Sequence, residues 1–343
     1  MELVVRRPEG LYCPPGDFFI DPWRPVERAV ITHAHGDHAR PGNGHYLASE
    51  ASRAVLAARL PGIRLDTLAY GERVVHGGVG LSLHPAGHVL GSAQVRIEHQ
   101  GIVWVVSGDY KLAPDPTCAP FEPLRCTTFV TESTFGLPVY RWPDPARVVG
   151  DIASWWRRNA EANRTSVLYG YAFGKAQRIA CELAAADALG IGPLACHGAM
   201  LALCAAYRAA GVPVPEIQHA SELARDTLRR ALVLAPPSAA GTPWLRRFGD
   251  ASDAFASGWM QIRGARRRRA LDRGFPLSDH ADWPALNAAI EATGATRVVV
   301  THGQVVPMVR WLAERGFDAD AFATEFADEG EPEASPATDV DAA

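Results

Sequence analysis

The pattern of apolar and polar positions divides the chain into regions of different texture. Up to about residue 110, short runs rich in Val, Ile and Phe alternate with turns that contain Gly and Pro, which predicts β-strands. A short helix is predicted over residues 51–60. The predicted strands cover residues 18–20, 29–32, 79–83, 95–97 and 102–107.

From about residue 144 the texture changes to Ala- and Leu-rich segments with helical spacing. Strand-like segments at 166–169 and 231–234 lie between them, so this middle section is predicted to be a small α/β layer. A buried strand at 297–300 then follows. The predicted helices cover residues 145–162, 175–189, 200–210, 222–231, 283–293 and 306–315.

Composition and charge exclude several classes of protein. The 343 residues are 48% hydrophobic and carry 34 basic and 38 acidic side chains, so a uniformly basic nucleic-acid coat is excluded. Six cysteines without a CxxC pair indicate reduced thiols. No signal-peptide core and no apolar stretch of about 18 residues is found, so we expect a cytoplasmic protein without membrane contact. Residues 328–343 are acidic and poor in apolar side chains, which predicts a disordered tail.

The most informative segment follows the predicted strand at 29–32. His33, His35, Asp37 and His38 place three imidazoles and one carboxylate within six positions. These groups bind Zn²⁺ and similar divalent ions at about 2.0–2.2 Å. Alternation along an extended segment directs His33 and His35 to the same side, whereas Asp37 and His38 lie beyond a glycine. We therefore predict a loop that serves two neighbouring ions.

These residues match the HxHxDH signature, and the chain resembles the metallo-β-lactamase superfamily. The resemblance implies that Asp21, at the end of a strand, supports the metal loop through hydrogen bonds. It also implies that His88 is a metal ligand and that Asp109 bridges the two ions.

Later segments resemble the β-CASP nuclease branch of this superfamily. Glu132, which ends a strand before Ser-Thr-Phe-Gly, is similar to motif A of that branch, and His280 and His302 are similar to motifs B and C. The opening segment 8–13 and residues 19–23 further resemble a bacterial subgroup of ligase-associated DNA exonucleases.

The resemblance implies an α/β fold, namely a metallo-β-lactamase αββα sandwich with an inserted β-CASP α/β cap domain. We expect the first part of the sandwich at 1–143, the cap at 144–273, the returning part of the sandwich at 274–327 and the acidic tail at 328–343.

The resemblance also implies the roles of the site residues. Two divalent ions, Zn²⁺ or Mn²⁺, are expected, with Asp109 between them. His280 is expected to stabilise an oxygen of the scissile phosphate or to protonate the leaving oxygen, and Glu132 to orient a neighbouring histidine or the attacking water. We count Asp37 among the catalytic residues as well as the ligands. The expected ligands are His33, His35 and His88 for one ion, and Asp37, His38 and His302 for the other.

Basic side chains indicate where a nucleic-acid strand would lie. Lys175 opens a predicted helix and is expected to hold a backbone phosphate, with an ordinary helix start as the less favoured alternative. A dense positive run precedes His280 and favours phosphate contact over a merely solvated surface. The run consists of Arg263, Arg266, Arg267, Arg268, Arg269 and, further on, Arg273.

The resulting functional hypothesis is a two-metal phosphodiesterase that acts on DNA ends, a 5′ exonuclease of DNA repair. A DNA ligase and a helicase of the same repair system are possible partners. Three alternatives stay open: an RNA nuclease of the same branch, a small-molecule hydrolase of lactams or thioesters, and a non-catalytic processing partner. The filled ligand positions argue against the last of these.

Overall fold

A computed structural model describes residues 1–262 and 271–326. Within this part the chain forms nineteen strands. The first eleven are β1 Val5–Arg7, β2 Gly10–Cys13, β3 Phe18–Ile20, β4 Arg28–Val30, β5 His45–Ser49, β6 Leu65–Leu68, β7 Arg73–His76, β8 Val79–Pro85, β9 Ala93–His99, β10 Ile102–Val106 and β11 Thr128–Ser133. The others are β12 Ser166–Tyr169, β13 Leu194–Cys196, β14 Gln218–His219, β15 Leu232–Ala235, β16 Ser252–Ala256, β17 Arg273–Phe275, β18 Arg297–Gly303 and β19 Asp318–Ala321.

Seven α-helices connect these strands in the described part of the chain, together with short 3₁₀ turns. Their ends follow local sequence signals. Asp144 and Asp282 cap two of them by accepting backbone N–H groups, a proline follows each cap, and Gly294 ends the second helix with a φ of 61°. The helices are α1 Arg53–Arg59, α2 Pro145–Glu161, α3 Lys175–Ala185, α4 Leu201–Ala209, α5 Arg225–Leu228, α6 Trp283–Thr293 and α7 Val305–Glu314.

Two of the three sheets face each other. The first has the order β1-β2-β3-β4-β5-β6, and the second has the order β19-β18-β11-β10-β9-β8-β7. Apolar side chains from both sheets, such as Ile20 and Val30 opposite Val95 and Trp104, form one buried core. Helices α6 and α7 cover the outer face of the second sheet. The αββα sandwich predicted from the sequence is therefore confirmed.

The third sheet belongs to the segment between β11 and β18. It is entirely parallel, with the order β14-β13-β15-β12-β16-β17. Apolar side chains cover both faces, as expected for a parallel sheet. Helices α2, α3 and α4 pack on one face, and the same cluster continues into α1 of the sandwich. The inserted α/β cap is thus also confirmed, and it packs directly against the sandwich.

One predicted helix is wrong. The helical spacing over 222–231 yields only the single turn α5, and the chain then enters β15. Only Leu228 and Ala231 are buried among the apolar side chains of this segment, so packing does not favour a longer helix.

Two predicted features concern residues outside the described part of the chain. The tail at 328–343 lies outside the described residues, as do Arg263, Arg266, Arg267, Arg268 and Arg269. Arg273 is described and is exposed at the start of β17. Among the described helices, none combines the length and the apolar character needed to cross a membrane.

Candidate metal centre

The candidate ligands converge where several strands end. His33, His35, Asp37 and His38 follow β4, His88 follows β8, Asp109 follows β10, and His302 is near the end of β18. Because β10, β11 and β18 are parallel, their carboxyl ends meet at one edge of the sheet. His280 reaches the same edge from the loop between β17 and α6.

Asp109 occupies the middle of the cluster. Its Oδ2 lies 3.4 Å from His33 Nε2, 3.6 Å from His38 Nε2 and 3.8 Å from His88 Nε2. Its Oδ1 lies 3.1 Å from His302 Nε2. The carboxylate therefore faces four histidines from three separate segments, which is the placement that a bridging ligand requires.

The ligand atoms fall into two compact groups that share Asp109. Within each group all ligand atoms lie within 4.8 Å of one another. Asp37 stands beside the second group, with its Oδ2 3.5 Å from His38 Nε2. The first group is His33, His35, His88 and Asp109, and the second is His38, Asp109 and His302.

Hydrogen bonds fix the ring orientation of two histidines through Asp21. The Thr32 hydroxyl donates to Asp21 at 2.5 Å, so it accepts from His33 Nδ1 at 3.0 Å. His38 Nδ1 donates to the same carboxylate at 2.7 Å. Asp21 has a φ of 43°, a left-handed conformation that is uncommon for a non-glycine residue. In both rings Nε2 is therefore the nitrogen directed at Asp109.

Two further ligands are oriented by oxygen atoms that the sequence analysis did not identify. The Thr301 hydroxyl donates to the Thr131 carbonyl at 3.2 Å and thus accepts from His302 Nδ1 at 2.9 Å. His88 Nδ1 donates to the carbonyl of Asp279 at 2.8 Å. A threonine directly precedes both His33 and His302. This repeated Thr-His dipeptide is the sequence signal that could have indicated the role of the two threonines. No local signal indicates Asp279.

His35 has the opposite orientation. Its Nε2 donates to the carbonyl of Phe173, in the cap, at 3.2 Å, and its Nδ1 faces His88 Nε2 at 3.0 Å. The first group therefore offers Nε2 from His33 and His88 but Nδ1 from His35. A cap residue thus fixes the orientation of one candidate ligand of the sandwich.

Burial and charge show that the cluster suits a cation. Burial, followed by neighbouring imidazoles, holds the pKa of His33 and His88 well below the usual range. Burial also opposes a charge on His38, but three nearby carboxylates, with Asp37 the strongest, raise its pKa to about 10. Burial alone would raise the pKa of Asp109, whereas the adjacent histidines, with His38 the strongest, hold it well below its usual range.

The fit to a metal ion is visible in two buried atoms. Within the described residues, His33 Nε2 and His38 Nε2 make no hydrogen bond although they are shielded from water. Such atoms are costly to bury unless a partner satisfies them. Nitrogen and carboxylate donors with fixed ring orientation are those that divalent zinc and similar ions bind. The buried cluster fits a binuclear metal site.

A histidine–carboxylate pair lies beside the cluster. His280 Nδ1 is 2.9 Å from Glu132 Oε2. Glu132 is fully buried and also accepts from the backbone N–H of Tyr110 at 2.8 Å and from the Thr134 hydroxyl at 2.5 Å. The carboxylate is therefore held rigidly and fixes the proton of His280 on Nδ1. The centroids of the His280 and His88 rings lie 4.6 Å apart.

The structure corrects the prediction for Lys175. This side chain was expected to hold a phosphate, but it is completely buried. Its Nζ donates to the carbonyl of Leu277 at 2.8 Å and lies 3.1 Å from Asp279 Oδ2. A phosphate of a bound strand has no access to the ammonium group at this position.

Phe326 is a further contact that the sequence did not indicate. Its ring stacks on His38, with ring centroids 4.3 Å apart and planes at 13°, and it meets His302 edge-on. Arg40 donates to the carbonyl of Glu325 at 2.9 Å and holds this segment in place. The aromatic ring therefore shields the second group of ligand atoms on one side.

The chain is similar to parts of longer known proteins. It is 32% identical over 319 residues to a protein of Opitutus terrae named "Probable DNA ligase", which covers 92% of this chain and 30% of that protein. It is 27% identical over 120 residues to cleavage and polyadenylation specificity factor subunit 3 of Dictyostelium discoideum, which covers 34% of this chain and 15% of that protein. The chain thus spans less than a third of the length of either relative. No family model matches it.

Among solved structures, a protein of unknown function from Enterococcus faecalis V583 has a similar fold. The TM-score is 0.55 at 15% identity, over 87% of this chain and 80% of the other. At this identity the likeness concerns the fold alone. The chain is thus homologous to the relative named as a DNA ligase and to cleavage and polyadenylation specificity factor subunit 3, and its buried His/Asp cluster is typical of the metallo-β-lactamase superfamily.

Proposed function

We propose that the protein is a metal-dependent phosphodiesterase that acts on DNA ends, specifically a 5′ exonuclease in DNA repair. The observation that carries this proposal is the pair of ligand groups joined at Asp109, with the His280–Glu132 pair beside them. A hydrolase that only binds one ion would not need the second group around His38 and His302.

We assign the ligands as the geometry groups them. His33, His35 and His88 would hold one ion, and Asp37, His38 and His302 the other, with Asp109 between them. The nitrogen-rich first set suits Zn²⁺, and Mn²⁺ is compatible with the mixed donors. When bound, two such ions neutralise the charge of a phosphodiester and provide a nucleophile at neutral pH.

The remaining chemistry belongs to His280 and Glu132. Because Glu132 can only accept, the His280 proton on Nδ1 stays directed at this carboxylate. Nε2 is then the ring atom that would meet the substrate and deliver a proton to the leaving oxygen. The charge of Glu132 stabilises the imidazolium that must form before this transfer.

DNA is favoured over RNA by the relative that is named as a DNA ligase and that matches most of this chain. A DNA ligase, and a helicase of the same repair system, are the protein partners that we propose on this basis. The second candidate is an RNA nuclease, because the other relative is named for cleavage and polyadenylation. We also retain Arg263 and Arg266–Arg269 as proposed contacts to the phosphate backbone.

The test uses 5′- and 3′-labelled single strands of DNA and RNA with the same sequence, incubated with Mn²⁺ or Zn²⁺. We expect stepwise release of nucleotides from the 5′ end of DNA and loss of this release in His33→Ala. His76→Ala, which changes an exposed histidine in β7, is the matched control. Degradation of RNA alone would support the second candidate. Full activity of His33→Ala would contradict both.

A further inference from the structure

Six charged side chains lie between the cap and the sandwich and form a second buried cluster. Two follow β10, three belong to α3 of the cap, and one precedes His280. Five of the side chains are at most 4% exposed, and Glu182 is 13% exposed. Three cations face three anions, so the cluster is neutral. We call it the interlobe clamp; its members are Lys111, Asp115, Lys175, Arg178, Glu182 and Asp279.

Two cations of α3 hold three consecutive residues of the loop before His280. Arg178 Nη1 donates to the carbonyl of Ser278 at 2.8 Å and to Asp279 Oδ1 at 3.1 Å. Lys175 Nζ donates to the carbonyl of Leu277 at 2.8 Å and lies 3.1 Å from Asp279 Oδ2. The backbone and the side chain of this loop are therefore both fixed by the cap.

The other partners of Arg178 hold the guanidinium itself. Its Nε donates to Glu182 at 2.9 Å, one turn along α3, and lies 3.5 Å from Asp115 of the sandwich. Burial favours the neutral form of Asp279, but Lys175, the strongest of its cationic neighbours, keeps the pKa of this carboxyl well below its usual range. The carboxylate of Asp279 therefore stays ionised.

Two hydrogen bonds connect the loop before His280 directly with the metal centre and with the neighbouring His280–Glu132 pair. The carbonyl of Asp279 accepts from His88 Nδ1 at 2.8 Å, and the next residue, His280, donates to Glu132 at 2.9 Å. A shift of Asp279 would therefore change the direction of one candidate ligand and of the candidate proton donor together.

We propose that Arg178 and Lys175 are positioning residues, which fix His88 and His280 through Asp279. This proposal rests on the proposed function, since it assigns His88 to a metal ion. Buried ion pairs add little net stability because desolvation offsets their attraction, so geometry is what such a clamp contributes. The cap is then part of the metal centre, because its α3 sets the orientation of a ligand that the sandwich provides.

The test requires a variant that removes the contacts between Arg178 and the loop before His280 without leaving an uncompensated buried charge. The double change Arg178→Gln and Glu182→Gln removes one cation and one anion, and the clamp keeps two of each. Leu183→Ala is the matched control, because Leu183 is fully buried in the same helix and makes no polar contact with the loop. If the double variant does not fold, Arg178→Lys takes its place. This variant keeps the positive charge but loses the several simultaneous hydrogen bonds of the guanidinium, and it is compared with Leu183→Ala in the same way.

Two measurements are made on each protein. The first is the imidazole ¹⁵N spectrum of the metal-free protein, in which we expect the Nδ1 signals of His88 and His280 to shift in the double variant alone. The second is the affinity for Mn²⁺ or Zn²⁺ in competition with a chromogenic chelator. We expect two ions in the wild type and a loss of affinity of about 10- to 100-fold in the double variant, as for other partners of metal-bound histidines.

The outcomes separate this proposal from the proposed function. Unchanged spectra and affinity in the double variant would overturn the positioning role, as would an equal loss of affinity in Leu183→Ala. A wild type that binds neither ion would overturn the proposed function. The spectra of the metal-free proteins would then still decide whether Arg178 fixes His88 and His280.

Discussion

The metal centre and the interlobe clamp are both buried clusters of ionisable side chains, and they meet at Asp279, but their atoms are satisfied in different ways. In the clamp, three cations face three carboxylates at hydrogen-bonding distance. In the metal centre, imidazole nitrogens face Asp109 and one another. His33 Nε2 and His38 Nε2 make no hydrogen bond within the described residues.

This difference indicates what each cluster requires. A cluster in which opposite charges pair is complete, and it can serve only to hold two parts of a protein together. A cluster in which lone pairs converge on one another is costly until a cation occupies its centre. Burial is alike in the two regions, so the direction of the donor atoms distinguishes a metal site from a structural ion-pair network.

The largest expected effect is that of Asp109→Asn. The amide cannot bridge two cations, so we expect turnover on labelled DNA to fall by about 10⁴-fold and the number of bound ions to fall below two. Turnover and metal content are measured on the same preparation. Asp66→Asn, at an exposed position in β6, is the control and should change neither. Wild-type turnover in Asp109→Asn would show that the two clusters do not differ as described.

The clamp is tested by Asp279→Asn in the metal-free protein. The change removes the negative charge that faces Lys175 and Arg178 in a buried position, and we expect a loss of about 3–5 kcal/mol in the free energy of unfolding at pH 7. The pKa of Asp279 is lowered in the folded state, so acid protonates this carboxyl first in the unfolded chain, near pH 3.9. The stabilisation is present above this pH and is lost below it.

The free energy of unfolding should therefore differ between wild type and Asp279→Asn by a constant amount from pH 7 to about pH 5. Well below pH 4, this difference should decrease by about 1.4 kcal/mol for each pH unit. Urea unfolding at pH 7, 5 and 3 measures it. Asp226→Asn changes an exposed carboxylate near Arg229 and should leave the free energy of unfolding unchanged. A gap that is independent of pH would mean that the Asp279 carboxylate is not what stabilises the clamp.

Glu132→Gln tests the histidine–carboxylate pair that lies between the two clusters. Glutamine keeps the shape of the side chain but removes the charge that supports protonated His280. We expect kcat to fall by about 10²-fold while two ions remain bound. Kinetics at several pH values and metal analysis measure both quantities, with the exposed Glu122→Gln as the control. Loss of metal instead of kcat would assign Glu132 to the metal centre itself.

The metal centre could be predicted from the sequence because its information is local. His33, His35, Asp37 and His38 occupy one loop, and His302 follows the apolar run of β18, which has a clear strand signature. The ligands from distant segments, His88 and Asp109, and the αββα sandwich were expected only from the resemblance to the metallo-β-lactamase superfamily, because no local pattern indicates them.

The cap sheet was harder to predict. Strands β13 and β16 consist of Leu-Ala-Cys and Ser-Asp-Ala-Phe-Ala, which have little intrinsic β propensity. They pair because helices on both sides bury them, and this burial depends on the complete fold. The segment at 222–231 has a helical pattern but no buried face, and it forms only the single turn α5. Here the absence of a buried face prevents an element that the sequence pattern predicts.

The clamp could not be predicted because its partners lie far apart in the chain. The hydrogen bond between His88 and Asp279 spans 191 residues. A lysine at a helix start, such as Lys175, looks the same in the sequence whether it meets solvent or a buried carboxylate. Only the packing of the cap on the sandwich decides between a phosphate contact and a positioning residue.

Removal of the metal is expected to have the smallest effect on the protein, a change in Tm. It tests whether ions stabilise the metal centre, where His33 Nε2 and His38 Nε2 make no hydrogen bond within the described residues, whereas the clamp pairs its cations with carboxylates. At free metal about ten times the dissociation constant of each site, each ion adds about 1.4 kcal/mol to the stability of the folded state, so removal of both ions by a chelator should lower Tm by about 3–5 °C. His38 has a pKa of about 10 in the metal-free protein, so an ion must displace its proton. The Tm shift should therefore shrink as the pH falls from 8 to 6. Calorimetry with and without chelator measures it, and Asp109→Asn should show less than half the shift. An equal shift in wild type and Asp109→Asn would mean that the ions stabilise the protein from a site other than this cluster.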